Sequence, residues 1–251
     1  MATALLGGKA GGKWIREPGN LPTREDSEVR ADVLMDTSLI ALQLRSRREG
    51  SHHLPLLVWR FARPLRAIAS APYGGGHGIR RWVVNAQVPS AYGRRDPEHH
   101  LQKLAVSLGL PGRGVGMLTA ADVRAHADMT DGGVEVTATV GLGHPTLAAA
   151  PDEAGPVSLV GTINLIATLP ERLSDAALVN AVATVTEAKA QALSDLGYRA
   201  TGTATDALCV LCPDEGRSCA FGGPRSVWGA RLARAVHGAV LAGAAIAAAS
   251  A

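Results

Sequence analysis

The chain has 251 residues, enough for one large domain or two modest ones with a substantial core. Its formal net charge of +3 is small for this length, so charge alone gives no case for nucleic-acid binding. Apolar residues make up 47% of the sequence but aromatic residues only 4%, so alanine, valine and leucine must fill the interior.

The two ends of the chain carry no recognisable targeting or membrane signal. Residues 1–30 mix glycine, charge and proline without periodicity, and we interpret them as a flexible leader rather than a signal peptide. The apolar run Gly238–Ala251 is shorter than the ~20 residues of a membrane span. Cysteines without an export signal indicate a reducing compartment. We therefore expect a cytoplasmic protein with no membrane partner.

From residue 31 onward the chain predicts short strands and helices. Strands are predicted over Leu54–Phe61, Leu65–Ser70, Arg80–Val88 and Gly114–Leu118. The first two, joined by a short connection, predict an antiparallel pair. A helix is predicted from Asp96 to Gly109, because an acid caps a helix start and proline fits its first turn. A second helix, capped by Thr119, is predicted to end near Ala127.

The second half continues this interleaving of strands and helices. The alternation of apolar and polar residues over Val134–Val140 is typical of a strand with two different faces. After a glycine- and proline-rich loop (141–156), the predicted elements are a strand over Val157–Leu169, a helix over Ser174–Leu196, a strand over Gly202–Leu211 and a helix from Ser226. We predict an α+β fold for a single domain, 31–251, with a mixed, largely antiparallel sheet or sheets packed against helices. A layered sandwich is one such arrangement.

The segment Ala200–Asp206 (ATGTATD) is the strongest indication of a functional site. Its three threonines share one face of the predicted strand, whereas Asp206 points the other way unless a bulge at Gly202 re-aims it. A threonine hydroxyl near a carboxylate could be an activated nucleophile or could position a water. Turn or capping hydrogen bonds explain the same residues.

The predicted helix Ser174–Leu196 carries an acid and a lysine before this segment. Glu187 lies on the polar face, where a solvated acid is the simpler interpretation. Lys189 lies on the apolar stripe, so it either extends to the edge of the stripe or is held inside by an acid. A desolvated lysine would serve as a proton donor or an anion anchor.

Two other segments offer polar groups to a ligand. Gly74, Gly75 and Gly76 permit a backbone whose N–H groups converge on an anion, although they match neither a P-loop nor a dinucleotide fingerprint. Thr162 and Asn164 share one strand face by period two, and this face either lines a site or is simply half-exposed. The cysteines at 209, 212 and 219 lack a nearby fourth ligand, which favours buried thiols over a zinc site.

Taken together, these residues resemble the adenosylcobinamide amidohydrolase family. The order and spacing of several short motifs carry the resemblance across roughly residues 33–244. The matching segments are Ser70–Gly76, Asn85 with Val88, Met117–Ala121, Val140–Gly143, Gly161–Asn164, Thr186–Lys189, Thr201–Asp206 and Gly222–Ser226.

The resemblance implies a hydrolase that cuts the amide between the corrin ring and aminopropanol of adenosylcobinamide, giving adenosylcobyric acid for cobalamin salvage. The cobalt corrinoid would be the substrate, and we expect no separate cofactor or metal. The expected substrate-binding residues are Ser70, Gly74, Gly75, Gly76, Asn85, Thr162 and Asn164.

A catalytic hypothesis follows from the chemistry of amide hydrolysis. We expect Thr203 or Thr205 with Asp206 to attack or to activate water. The amides of the glycine run, with Asn164, would stabilise the oxyanion. Lys189 would supply a proton or balance the developing charge, and Glu187 is a further catalytic candidate.

Three other classes of protein remain as alternatives. A non-catalytic corrinoid carrier could use the same cleft, but it has little need for an acid beside hydroxyls. A metal-dependent amidohydrolase built on His and Cys is another. An interaction protein could use the basic C-terminal region, which contains Arg217, Arg225, Arg231 and Arg234. Homo-oligomerisation is left open.

Overall fold

A computed structural model describes residues 40–151 and 161–249 of the chain, with only the backbone of Ile40. The predicted leader and the first part of the strand predicted from Val157 lie outside these residues. The strands are β1 (Ile40–Glu49), β2 (His52–Ala69), β3 (Gly76–Gln87), β4 (Val115–Thr119), β5 (Ala127–Asp131), β6 (Val134–Val140), β7 (Pro145–Thr146), β8 (Ile163–Thr168), β9 (Gly202–Thr203) and β10 (Ala207–Cys212). The helices are α1 (Pro97–Ser107), α2 (Asp175–Asp195) and α3 (Val227–Ala249).

Eight of these strands form one mixed sheet, which confirms the predicted α+β class. The strand order is β4-β3-β2-β10-β8-β6-β5, and β1 pairs with β2. The β3–β4 and β10–β8 pairs are parallel and the other described pairs in this sheet are antiparallel. The short strands β7 and β9 form a separate two-stranded sheet.

Helices α2 and α3 cover one face of the sheet over β6, β8 and β10. Alternate residues of β6 and β8, such as Val136 and Leu165, pack there against alanine, valine and leucine of both helices. Small residues allow close approach, since a Cβ at Gly243 of α3 would lie 2.6 Å from Val140 Cγ2. With 23 residues, α3 is long and apolar enough to span a membrane by length and composition. Its fully buried residues, such as Leu232 and Val236, instead pack it as a core helix.

The opposite face of the sheet curls over a second apolar core. Trp59, Met117, Ile166 and Cys209, from four different strands, belong to the same buried cluster. Asn164 Nδ2 on β8 donates to the Leu118 carbonyl on β4 at 3.0 Å. In a flat sheet, strands four places apart lie roughly 19 Å apart. The curl therefore brings the ends of β4 and β8 together, and the cavity described below lies at this junction.

The structure corrects two predictions in the first half of the chain. The predicted strands Leu54–Phe61 and Leu65–Ser70 are not a hairpin but parts of the single strand β2, which pairs with β3. The register of the β2–β3 pairing shifts between Arg60 and Leu65. Pro64 lies in this irregular stretch, so its missing N–H interrupts no regular pairing. The helix predicted after Thr119 is also wrong. A single 3₁₀ turn, Val123–Ala125, leads directly into β5, a strand that the sequence did not predict.

Candidate active site

The predicted strand Gly202–Leu211 is divided by a turn at Ala204 and Thr205. Residues before the turn form β9 and pair with β7, whereas residues after it enter the main sheet as β10. Because of this turn, Asp206 points back at Thr203 instead of away from it. The Thr203 N–H donates to Asp206 Oδ2 at 3.0 Å, and the Thr203 hydroxyl donates to Oδ1 at 2.5 Å.

Asp206 forms an ion pair with Lys189, which reaches it from α2. Lys189 Nζ donates to Asp206 Oδ2, and the two side chains are only 12% and 13% exposed. Gly202 leaves room for this pair, because a Cβ there would lie 2.6 Å from Lys189 Nζ and closer still to Asp206 Oδ2. Lys189, on the apolar stripe of α2, is thus held in the protein interior by the carboxylate of Asp206, 17 residues further along the chain.

A fourth donor completes the surroundings of the carboxylate. The N–H of Ile163 donates to Asp206 Oδ1 at 2.8 Å. Asp206 thereby accepts hydrogen bonds from the start of β8, from β9 and from α2. Each of its carboxylate oxygens accepts two of them. A buried carboxylate with such a complete set of donors is rigidly oriented.

Two more hydroxyls lie next to this carboxylate. Thr162 Oγ1 and Thr205 Oγ1 are hydrogen-bonded at 2.7 Å. The carbonyl of Gly161 is 3.2 Å from the Thr205 hydroxyl and 3.0 Å from the Thr203 hydroxyl. Gly161 has φ +127°, and a Cβ there would lie 3.0 Å from the Gly141 carbonyl, so glycine is required at this position. Two threonine hydroxyls therefore contact one carbonyl, and the hydroxyl of Thr162 contacts one of them.

Asp206, Thr205 and Thr162 line a cavity of about 620 Å³. Its volume falls in the usual range of small-molecule sites, about 300–1,000 Å³. Ser70, another predicted binding residue, lines the same cavity, and its Oγ accepts from the Leu208 N–H at 3.1 Å. The other lining residues come from the β2–β3 connection, from the segment after β3 with the first residue of α1, from the end of β4 and from the start of β10: Pro72, Val88, Pro89, Ser90, Tyr92, Gly93, Arg94, Arg95, Pro97, Leu118, Thr119, Ala120 and Ala207.

Thr203 and Lys189 contact Asp206 but are not among the residues that line the cavity. The hydroxyl that is paired with the acid is therefore distinct from the hydroxyls that face a ligand. This separation bears directly on the mechanism, because neither Thr162 nor Thr205 has a hydrogen bond to the carboxylate among those the structure describes.

Asn85 and Asn164 form a buried network next to the cavity. Asn164 Nδ2 donates to Asn85 Oδ1 at 2.8 Å and to the Leu118 carbonyl, and Asn85 Nδ2 donates to Thr139 Oγ1 at 2.9 Å. Both asparagines and Thr139 are fully buried, so the polar face predicted for β6 is covered. Thr162, Asn164 and Ile166 share one strand face, which places Asn164 between the cavity and the apolar core. The Asn164 oxygen has no protein partner among the described residues.

The glycine run, Gly74–Gly76, adopts a main-chain structure different from a simple nest of N–H groups that would bind an anion. Gly74 has φ +68°, and a Cβ there would lie 1.9 Å from the Gly114 carbonyl, so the segment packs tightly against β4. The guanidinium of Arg80, itself 5% exposed, donates to the carbonyls of Gly74 and Gly75. Burial lowers the pKa of Arg80 from its ordinary value. Gly74, Gly75 and Gly76 are not among the cavity-lining residues; Ser70 and Pro72, just before them, are.

Glu187 is not brought to this group. It is exposed, and it lies two residues before Lys189, which corresponds to about 200° around α2. The buried-thiol interpretation agrees with Cys209 and Cys212, because burial raises the pKa of the first to about 12 and of the second to about 11. Within residues 40–151 and 161–249, no group of three or more His, Cys, Asp or Glu side chains is placed to hold a metal ion.

The sequence interpretation missed the segment after β3, which forms one wall of the cavity. It contains Tyr92 and two exposed arginines, Arg94 and Arg95. Arg94 donates to Asp96, whereas Arg95 has no side-chain partner among the described residues. The sequence signal for this segment was a tyrosine followed by two arginines just after a strand, in a chain with only three tyrosines.

Comparisons with known proteins show the family to which this chain belongs. The family model described as adenosylcobinamide amidohydrolase matches residues 41–250. A protein of that name from Methanosarcina mazei is 31% identical over 157 residues, covering 62% of this chain and 72% of the relative. Another from Halobacterium salinarum is 36% identical over 115 residues, covering 43% of this chain and 49% of the relative. This chain is therefore a member of the adenosylcobinamide amidohydrolase family of enzymes.

Proposed function

We propose that this protein hydrolyses the amide that joins aminopropanol to the corrin ring of adenosylcobinamide. The products would be adenosylcobyric acid, which re-enters cobalamin synthesis, and free aminopropanol. One observation carries the proposal beyond family membership. The cavity is lined by the carboxylate of Asp206 and the paired hydroxyls of Thr162 and Thr205, and Lys189 pairs with the carboxylate from outside the cavity lining.

The geometry favours Asp206 as the base that activates water. The Thr203 hydroxyl has one hydrogen but two acceptors, Asp206 Oδ1 at 2.5 Å and the Gly161 carbonyl at 3.0 Å. When that hydrogen turns to the carbonyl, Oδ1 is freed to accept a proton from water. The Lys189 ammonium stays paired with Oδ2 and compensates the carboxylate charge. This assigns Lys189 to electrostatic support of Asp206.

The cavity hydroxyls would stabilise the developing oxyanion. If Thr162 donates to Thr205 Oγ1, the Thr205 O–H is free to turn from the Gly161 carbonyl to the substrate oxygen. This role replaces the one expected of Asn164 and the glycine run. Both Asn164 amide hydrogens are already donated, and the glycine run lies outside the cavity lining.

The proposed reaction balances without a further reactant. Water oxygen adds to the amide carbon while one water proton moves to Asp206. The C–N bond then breaks as Asp206 returns that proton to the departing nitrogen, giving a carboxylic acid and an amine. An alternative is that the Thr205 oxygen attacks the amide carbon while its proton passes to the departing nitrogen. The C–N bond then breaks, aminopropanol leaves and an ester forms, which water later cleaves to the acid and the free hydroxyl.

The decisive experiment is incubation of the purified protein with adenosylcobinamide, followed by mass analysis for the corrin carboxylate and free aminopropanol. We expect both products at catalytic turnover, with and without a chelator. Tight corrinoid binding without products would support the carrier alternative. Turnover abolished by the chelator and restored by a metal would support the metal-dependent alternative. If the protein neither binds nor cleaves adenosylcobinamide, the proposed substrate is refuted.

A further inference from the structure

A chain of polar contacts runs from the β1–β2 ribbon to the cavity that Asp206 lines. His100 Nε2 is 2.8 Å from Glu49 Oε1, and His100 Nδ1 is 2.9 Å from the Tyr92 hydroxyl. The rings of Tyr92 and His100 also stack, with centroids 5.6 Å apart. These residues come from β1, α1 and the segment after β3. The chain of contacts ends on a residue that lines the cavity.

The far end of this chain is firmly anchored. Arg47 Nε donates to Glu49 Oε1 at 2.6 Å, and the Arg47 side chain is only 9% exposed. Its other nitrogens donate to the carbonyls of Gln87 at 2.8 Å and Pro55 at 3.4 Å. The Arg47 side chain is therefore fixed to two strands, and it holds Glu49 in one place. His100, 8% exposed, has little freedom to rotate between Glu49 and Tyr92.

The chemistry of the groups limits the donor directions. A carboxylate only accepts, so His100 donates its Nε2–H to Glu49. His100 Nδ1 and the Tyr92 hydroxyl share one hydrogen. Whichever of the two donates it, a lone pair of the Tyr92 oxygen remains to accept from a ligand. Burial raises the pKa of Tyr92, which keeps the phenol neutral.

The Arg47 and His100 side chains are buried and that of Glu49 is 32% exposed, so desolvation offsets part of the attraction between their charges. Stability alone also leaves unexplained why this chain of contacts ends at a residue of the cavity that Thr205 and Asp206 line. The mechanism proposed above uses none of these four residues.

We propose that Tyr92 is a substrate-contacting residue that accepts a hydrogen bond from an amide N–H of the corrinoid, and that Glu49 and His100 are positioning residues that orient its hydroxyl. The inference rests on the proposed function and deepens it, because a corrin ring carries primary amides around its rim. The contacts from Arg47 through Glu49 and His100 to Tyr92 would thus help to hold the substrate in the cavity that Asp206 lines.

The test is steady-state kinetics and equilibrium binding of adenosylcobinamide for Tyr92→Phe. We expect KM and Kd to rise roughly three- to tenfold, the usual worth of one hydrogen bond, with kcat changed less than twofold. Tyr198→Phe is the matched control, because Tyr198 is 40% exposed and does not line the cavity. An unchanged KM, or a loss confined to kcat, would overturn the inference.

A second variant separates orientation from general stability. Glu49→Gln should also raise KM three- to tenfold, but it should have no further effect when Tyr92 is already phenylalanine. Additive losses in the double variant would overturn the positioning role. If Tyr92→Phe fails to fold, Glu49→Gln alone must still raise KM without lowering kcat. Absence of binding and turnover in the unmodified protein would instead refute the proposed function, and this inference with it.

Discussion

Thr203 and Asp206 are joined by two hydrogen bonds across a tight turn, one from the main-chain N–H at 3.0 Å and one from the hydroxyl at 2.5 Å. The turn aims the carboxylate of Asp206 at Lys189 and at the cavity instead of along a strand. The candidate site is therefore organised around one carboxylate whose direction depends on local turn geometry. Substitutions at the contacts of this carboxylate, and at those that anchor Tyr92, have the following expected effects.

Asp206→Asn should abolish turnover while the protein still binds corrinoid. The amide keeps an oxygen for one of the backbone donors but cannot act as a base, so we expect kcat to fall at least ~100-fold. Asp195→Asn, at the exposed end of α2, is the control. The measurement is product formation from adenosylcobinamide together with equilibrium binding. Near-normal turnover in Asp206→Asn would remove this residue from the chemistry.

Thr205→Val and Thr203→Val should separate the two kinds of hydroxyl. We expect Thr205→Val to lower kcat roughly 100-fold, because it removes the proposed oxyanion donor. Thr203→Val should cost less, about tenfold, because Asp206 keeps its other donors. If Thr205 is instead the nucleophile, intact-mass analysis during turnover should reveal an adduct on the protein. Full activity of both variants would exclude a role for these hydroxyls.

Gly202→Ala should disrupt the Lys189–Asp206 pair without changing any charged group. The new methyl would lie 2.6 Å from Lys189 Nζ, so one partner must move. We expect a loss of about 1–3 kcal/mol in the free energy of unfolding and a marked fall in kcat. Gly223→Ala is the matched control, because its Cβ would meet only Asn180 Oδ1 at 3.8 Å. Equal behaviour of the two variants would contradict the tight packing described here.

Lys189→Met should lower the free energy of unfolding by about 1–3 kcal/mol, because it leaves a largely buried carboxylate without its cation. Adding Asp206→Leu should recover part of that stability but no activity. Chemical denaturation of the two single variants and the double variant measures the coupling. Equal stability of Lys189→Met and the unmodified protein would show that the pair is energetically unimportant.

Glu49 should make the stability of the protein depend on pH in the acid range. Burial acts to raise the pKa of Glu49, but hydrogen bonds from Arg47 and His100, with their charges, hold it below its ordinary value. A carboxyl with a lowered pKa stabilises the folded state above its unfolded pKa, and that contribution is lost as the pH falls through the folded pKa.

Between about pH 6 and pH 3, the unmodified protein should therefore lose more stability than Glu49→Gln. The pKa values of Asp122 and Asp131 are also lowered, but they are common to both proteins, so the difference isolates Glu49. Thermal unfolding at several pH values provides the measurement. Parallel pH profiles for the two proteins would contradict the expected coupling.

The elements whose boundaries the sequence predicted well are those whose ends depend on local interactions. Helix α2 was predicted over Ser174–Leu196 and runs over Asp175–Asp195, because the Ser174 hydroxyl caps it and Gly197, at φ +82°, follows its end. The motif Ala200–Asp206 likewise indicated the site by composition alone. Hydroxyls and an acid between small residues are a local signal that needs no knowledge of the fold.

Contacts distant in sequence were decided only by the tertiary structure. The sequence interpretation divided β2 into Leu54–Phe61 and Leu65–Ser70, whereas pairing with β3 on both sides of an irregular stretch makes it one strand. It also could not show that Asn164 would meet Asn85, 79 positions earlier, or that Tyr92 and Asp206 would line the same cavity. Both results depend on the curl of the sheet, and curl arises from the summed twist and packing of many strands. The sequence by itself indicated the hydroxyls and the acid of the candidate site, and the curled sheet decided which of the predicted residues share one cavity.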